Sequence, residues 1–230
     1  MQVSNCVRLL CASALLGLLG SVTLCSRITA SPLPRAFNTT RIVVRVVDYV
    51  GLPKSELETM KSEGIFLLGS AQLGSSWLVC KVAKGQFVAS PSCPQAINDQ
   101  EYVLRITGGP PFDHSSTHMD ALGAAYVDET GGKYATIYYG AIREFATLGS
   151  ASRGQLLGVV AAHEIGHLLL GRGPHAQRGI MRDRLIRADL LGVSHRNLIF
   201  SKSDATRIRE RLSVLAAQRS KVDAATGGAK

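Results

Sequence analysis

The sequence predicts a single α+β domain in which a mixed β-sheet packs on one buried helix. Three observations predict it. Short β-branched or apolar runs, beginning with "RIVVRVVDYV" at Arg41, recur through the first 140 residues and read as strands. After the first of them, "PKSELETMKSEGIFLLG" places Leu57, Met60 and Lys61 at helical spacing. From Leu156 to Leu170 the chain is apolar almost all round, and such a helix belongs in a core. At 230 residues the chain can bury one sizeable core, or at most two small ones.

Taken in order, residues 1–30 are not part of the fold. Arg8 precedes an apolar stretch from Leu9 to about Leu24, and a polar, proline-containing segment follows. That layout is a secretory signal, short for a bilayer span of about 20 residues. Thr29-Ala30 is the expected cleavage edge, and the competing reading is an uncleaved anchor. Residues 31–40, "SPLPRAFNTT", read as a linker into a domain spanning 41–222. Its first strand is Ile42–Val47, followed by an amphipathic helix expected to end near Gly64. "SSWLVCKV" is a second strand, "AKGQFVASPSCPQAINDQ" a turn-rich segment, and "EYVLRI" a third strand. "TGGPPFDHSSTHMD" is a loop by composition. "ALGAAYV" and "KYATIYYG" are two further strands around the turn "DETGG".

Ser152 and Gln155 then form a capping box, each able to satisfy the other's orphan amide. Gly171, Gly173 and Pro174 stop the apolar helix that follows. "SKSDATRIRERLSVLAAQRSK" reads as a C-terminal helix capped by Ser203 or Asp204, with Ile208, Leu212 and Leu215 facing the body. Residues 223–230 are expected to be a disordered tail.

An apolar fraction of 46% and 19% charged residues describe a globular chain. The net charge of +9 falls to +7 if Arg8 and Arg27 leave with residues 1–30. A basic balance suits an acidic partner or surface. Yet Lys and Arg are spread thinly without interleaved aromatics, so nucleic acid is not an expected partner. Export would also remove Cys6, Cys11 and Cys25, leaving Cys80 and Cys93. A pair in an oxidising compartment is most simply a disulfide. The other reading is two buried or metal-binding thiols, although the spacing fits no zinc motif.

The apolar helix carries three polar residues, His163, Glu164 and His167, in the stretch "HEIGHLLLGRGPHAQRGIM". Burying two imidazoles and a carboxylate without partners is costly. Residues four apart on a helix point the same way, so His163 and His167 can share one metal ion. Glu164 is offset from that direction and can reach a water beside the ion. Two His ligands with a Glu base is a zinc-hydrolase arrangement. A catalytic ion needs a third protein ligand and an open position, and His175, beyond the break at Gly171, is the candidate. His114 and His118 also lie four apart, but in a loop where that spacing has no geometric meaning. His195 has no supporting context.

With these residues and "GIM" in place, the chain resembles the metzincin clan of zinc proteases. It looks more closely like a group of exported bacterial proteins with an "HEIGHLLLG…H…GIM" core. The resemblance implies one catalytic Zn2+ held by His163, His167 and His175, with Glu164 as general base and Met181 in a turn beneath the metal. It also implies a mostly parallel sheet, with one of the last two strands as the edge on which an extended peptide pairs. Two intervals depart from the clan's HExxHxxGxxH. Gly171 stands four residues after His167 rather than three, and His175 eight after rather than six. The departures bear on the third ligand more than on the enzyme class.

The function expected is therefore a secreted or periplasmic zinc endopeptidase, cleaving a peptide or protein substrate with zinc-activated water. No membrane span is expected after signal removal. Two other readings stand beside it: a catalytically silent, zinc-stabilised binding protein, and a zinc hydrolase of a non-peptide amide.

Overall fold

Six strands and five helices, in the order β1–α1–β2–β3–β4–β5–β6–α2–α3–α4–α5, make up the described part of a computed structural model of the chain. It describes residues 41–88, 92–109, 121–173 and 175–226. The expected signal, the linker, the loop with His114 and His118, and residues 227–230 lie outside these. All the described residues belong to one compact unit. Among them no helix is long and apolar enough to cross a membrane.

The strands are β1 (Arg41–Asp48), β2 (Gly74–Ala83), β3 (Gln86–Val88), β4 (Glu101–Thr107), β5 (Gly123–Asp128) and β6 (Gly131–Tyr138). They form one sheet in the order β3-β2-β1-β4-β6-β5. The β2-β1-β4-β6 core is parallel, and the outer strands β3 and β5 are antiparallel to their neighbours. The expected mixed, mostly parallel sheet is what the chain forms, and β5 is one of its edges. Parallel strands are covered by connecting helices, hence the β-branched run of β1. Ile42, Val44 and Val46 share one face of β1 and are fully buried with Leu104 and Ile106 of β4.

The helices are α1 (Lys54–Ser70), α2 (Tyr139–Ala146), α3 (Arg153–Leu170), α4 (Asp189–Ser194) and α5 (Lys202–Thr226). Helix α3 is the buried one. The Ser152–Gln155 capping box opens it as expected, and Leu156, Leu157, Ala161, Ala162 and Ile165 are all fully buried. It lies close against α1 because Gly154 and Gly158 have no side chain: a Cβ there would stand 2.6 Å from Thr59 and 2.5 Å from Glu63.

Five local features differ from the sequence expectation, one being that α5 runs on to Thr226, four residues into the tail expected from residue 223. Helix α1 does not end near Gly64 but runs on to Ser70. Gly64 is an interior helical residue, because a Cβ would meet the Trp77 ring at 2.3 Å. The turn-rich segment contains the short strand β3, paired back on β2 across Lys84-Gly85, both at positive φ. Helices α2 and α4 were not anticipated. Helix α5 is capped by Ser201 rather than Ser203 or Asp204, the Ser201 hydroxyl accepting from the Asp204 amide at 3.1 Å. Ile208 and Leu212 are buried and Leu215 packs on the core, as expected.

Cys80 and Cys93 are joined in a disulfide and both are buried. The Cys93 segment is further held by Arg45 of β1, which donates to the carbonyls of Cys93 and Gln95 while ion-paired with Glu101 at 2.8 Å.

Candidate metal centre

Helix α3 presents His163 and His167 on one face, a turn apart, and their Nε2 atoms lie 3.0 Å from each other. His163 Nδ1–H donates to the Ile180 carbonyl at 2.7 Å. A carbonyl can only accept, so this bond places the proton on Nδ1 and leaves the Nε2 lone pair pointing at His167.

The third histidine arrives by a chain reversal. Gly171 ends α3 at φ +77°, a left-handed conformation that favours glycine. It lies against the β5–β6 turn, where a Cβ would be 2.7 Å from the Glu129 carbonyl. Arg172 N–H then donates to the Asp128 carbonyl at 2.8 Å, and the chain turns back toward α3. Ala176 N–H donates to the Met181 carbonyl at 2.8 Å, and Ile180 N–H to the Ile199 carbonyl at 2.9 Å, closing a tight loop. His175 sits at the start of that loop, its ring centroid 4.8 Å from that of His167 and 5.7 Å from that of His163. Ligand atoms of all three histidines fall within 4.8 Å of one another. They form one metal-sized cluster.

The cluster fits zinc. Two Zn–N bonds of 2.0–2.1 Å at a tetrahedral angle hold their nitrogens about 3.3 Å apart, close to the 3.0 Å between the helix pair. Three neutral imidazoles suit zinc among the borderline metals. Burial keeps the two helix imidazoles neutral: it pushes His163 below its usual range, and with repulsion from His163 and His175 it pushes His167 down to about 4. His175, the most exposed of the three, faces Asp183, whose carboxylate lies 3.1 Å from Nδ1. A carboxylate behind a ligating imidazole orients the ring and raises its basicity.

Glu164 is only 4% exposed. Burial raises its carboxyl to about 8. It fits under the edge strand because residue 123 is glycine, where a Cβ would stand 2.7 Å from Glu164 Oε1. Met181 is buried against Gly166, where a Cβ would meet its sulfur at 2.4 Å. A cleft of about 540 Å³ opens over these groups. One wall is Ala121–Ala125 and Val127, the floor is Val160, His163, Glu164 and His167, and the opposite rim is the 172–185 loop.

Sequence reasoning did not single out Asp183, the Ile180 carbonyl, Gly123 or Gly166. Each acts through a contact between distant segments or between a helix and a loop. Gly166 and Ile180 stood inside the stretch already under scrutiny, and Asp183 lies two residues beyond its end.

No family model and no curated protein matches this chain. Among solved structures, archaemetzincin from Methanopyrus kandleri is similar at 14% identity and a TM-score of 0.49, over 78% of this chain and 99% of that one. A zinc-dependent peptidase from Methanocorpusculum labreanum is similar at 15% identity and a TM-score of 0.45, over 72% of this chain and 99% of that one. Both likenesses are too shallow to assign an activity, so the functional reading rests on the cluster's own geometry.

Proposed function

We propose that the chain is an exported zinc-dependent endopeptidase, with His163, His167 and His175 as metal ligands and Glu164 as general base. The observation that carries this reading is the three-histidine cluster lining an open cleft, with a buried carboxylate beside the two helix histidines. A purely structural zinc site would be closed by a fourth protein ligand and would have no use for Glu164.

Zinc bound there would supply Lewis acidity toward a carbonyl and would lower the pKa of water. The remaining chemistry belongs to the chain. The outer edge of β5, the last strand of the sheet among the described residues, would hold an extended peptide by main-chain hydrogen bonds, bringing one carbonyl over the histidines. Glu164 would take a proton from the attacking water and return it to the leaving amine. Beside a dication its carboxyl would be drawn back to the ionised form that a base requires. Met181, packed on Gly166, would support the helix turn that carries both ligands. The buried Cys80–Cys93 disulfide supports passage through an oxidising compartment, as the N-terminal signal layout implies.

The test is cleavage of a mixed quenched-peptide library by the purified protein beside Glu164→Ala, with zinc content measured in both. Cleavage in the parent, lost by at least about 10³-fold in a variant that keeps its zinc, is the expected outcome. A folded, zinc-loaded parent that hydrolyses no peptide would overturn it in favour of a binding role or a non-peptide amide.

A further inference from the structure

Residues 175–183 carry the third histidine but belong to no helix and no strand of the sheet. Their path is tied to the cluster at two points. The Ile180 carbonyl accepts from His163 Nδ1 at 2.7 Å, and the Asp183 carboxylate lies 3.1 Å from His175 Nδ1. The segment also closes on itself, since Ala176 N–H donates to the Met181 carbonyl and Ala176 pairs with Arg182 in an isolated bridge. A displacement of residues 180–183 therefore carries His175 with it.

Main-chain contacts hold one part of this segment. Ile180 N–H donates to the Ile199 carbonyl at 2.9 Å, and a Cβ at Gly179 would stand 2.7 Å from the same oxygen. A side-chain pair supplies the other hold. Arg182 Nη1 donates to Asp189 Oδ1 at 2.5 Å, and the two side chains are only 30% and 13% exposed. Asp189 opens α4. Its second oxygen accepts from the Ile186 amide at 2.8 Å, and its own amide donates to the Ile186 carbonyl. Helix α4 is fixed on the body in turn: Leu190 and Val193 are buried, Leu190 fills the space that Gly149 leaves, and Gln155 near the start of α3 donates to the Ser194 carbonyl at 3.5 Å. The pair thus ties the segment that bears His175 to the helix that bears His163 and His167. A charge-assisted bond mostly withdrawn from water holds a geometry better than an exposed surface pair does.

We propose that Arg182 and Asp189 are positioning residues for the third metal ligand, holding His175 in the ligating geometry before an ion arrives. The inference rests on the three-histidine reading of the metal centre and not on peptide hydrolysis. Its physical content is a population: a segment in the ligating geometry about one-tenth of the time binds the ion about tenfold more weakly. Neither residue belongs to the cluster, so the effect should run through His175.

Competition with a chromogenic chelator measures zinc affinity in the full chain, in Asp189→Asn, in Arg182→Gln and in the double variant. Asparagine can still accept from the Ile186 amide, so Asp189→Asn removes the charge and spares the entry to α4. Each single variant is expected to weaken zinc about tenfold, and the double variant about as much as either alone, because both break one bond. Should one single variant fail to fold, the other still decides. A second arm repeats Asp189→Asn in His175→Ala, which leaves His163 and His167 to hold the ion. There it should change nothing, whereas a general loss of stability would weaken zinc in both backgrounds. Unchanged affinity in the single variants, or an equal loss in the His175→Ala background, overturns the inference. A parent that takes up no zinc overturns the metal reading together with it. A parent that binds zinc while its variants match it removes only the positioning role.

Discussion

Glu164 carries two opposed requirements that a single residue settles. Burial holds its carboxyl up at about 8 against an ordinary 4.5. In the metal-free protein its contribution to stability is therefore present below about pH 4.5 and is lost as pH rises through about 8. Glu164→Gln should raise the Tm of the chelated protein at about pH 9 and leave it nearly unchanged at about pH 4. Equal shifts at both would show that the carboxyl is not desolvated. His167 runs the other way: with its imidazole lowered from 6.5 to about 4, its contribution is present above about pH 6.5 and lost as pH falls through about 4. Asp183 acts through His175 rather than on substrate. Asp183→Asn should weaken zinc about tenfold, the lower end for a carboxylate behind a ligand, because Asp183 is 84% exposed. Competition with a chromogenic chelator reads this directly, and an unchanged zinc affinity would sink the role.

At the scale of elements, the decisive piece is the exit from α3. Gly171 is at positive φ and pressed on the backbone of the β5–β6 turn, so Gly171→Ala combines strain with a clash that no side-chain rotation relieves. A loss of about 1–3 kcal/mol in unfolding free energy is expected, together with weaker zinc binding as His175 moves. A variant with unchanged denaturation midpoint and zinc affinity would show that the loop tolerates another path. The capping box at the other end of α3 is a milder matter. Ser152→Ala should cost about 1 kcal/mol without touching zinc affinity, separating helix stability from site geometry.

For the whole molecule, two clamps bind distant segments. The disulfide closes a loop with a sequence separation of 13, and the loop-closure argument gives about 3 kcal/mol for a loop of that size. Cys80→Ser with Cys93→Ser should lower the unfolding free energy by that order while leaving zinc bound, since the disulfide belongs to the β2 side of the sheet. The metal would be the other clamp, joining α3 to the 175–182 loop. Chelation should lower Tm by several degrees in the parent and far less in His163→Ala. A parent insensitive to chelation would show that the histidines hold no ion.

The strands, the buried helix and its cap were legible from the sequence because they depend on local pattern: β-branched runs, apolar periodicity, and Ser152 three residues before Gln155. His163, Glu164 and His167 were legible for the same reason, since helical spacing alone sets their relative directions. His175 was different. Its interval from His167 leaves its position open, and only the left-handed turn at Gly171 and the bonds to the β5–β6 turn return it to the cluster. Gly64 misled as a helix stop, because its meaning lies in a tryptophan on another element. The role of Gly123 and the partnership of Asp183 were likewise decided in three dimensions. Sequence pattern reports what a residue does to its own neighbours along the chain. Contacts between segments, which here complete the histidine cluster, make room for the buried carboxylate and bring the 172–185 arginines to the cleft, exist only once the sheet and α3 have packed.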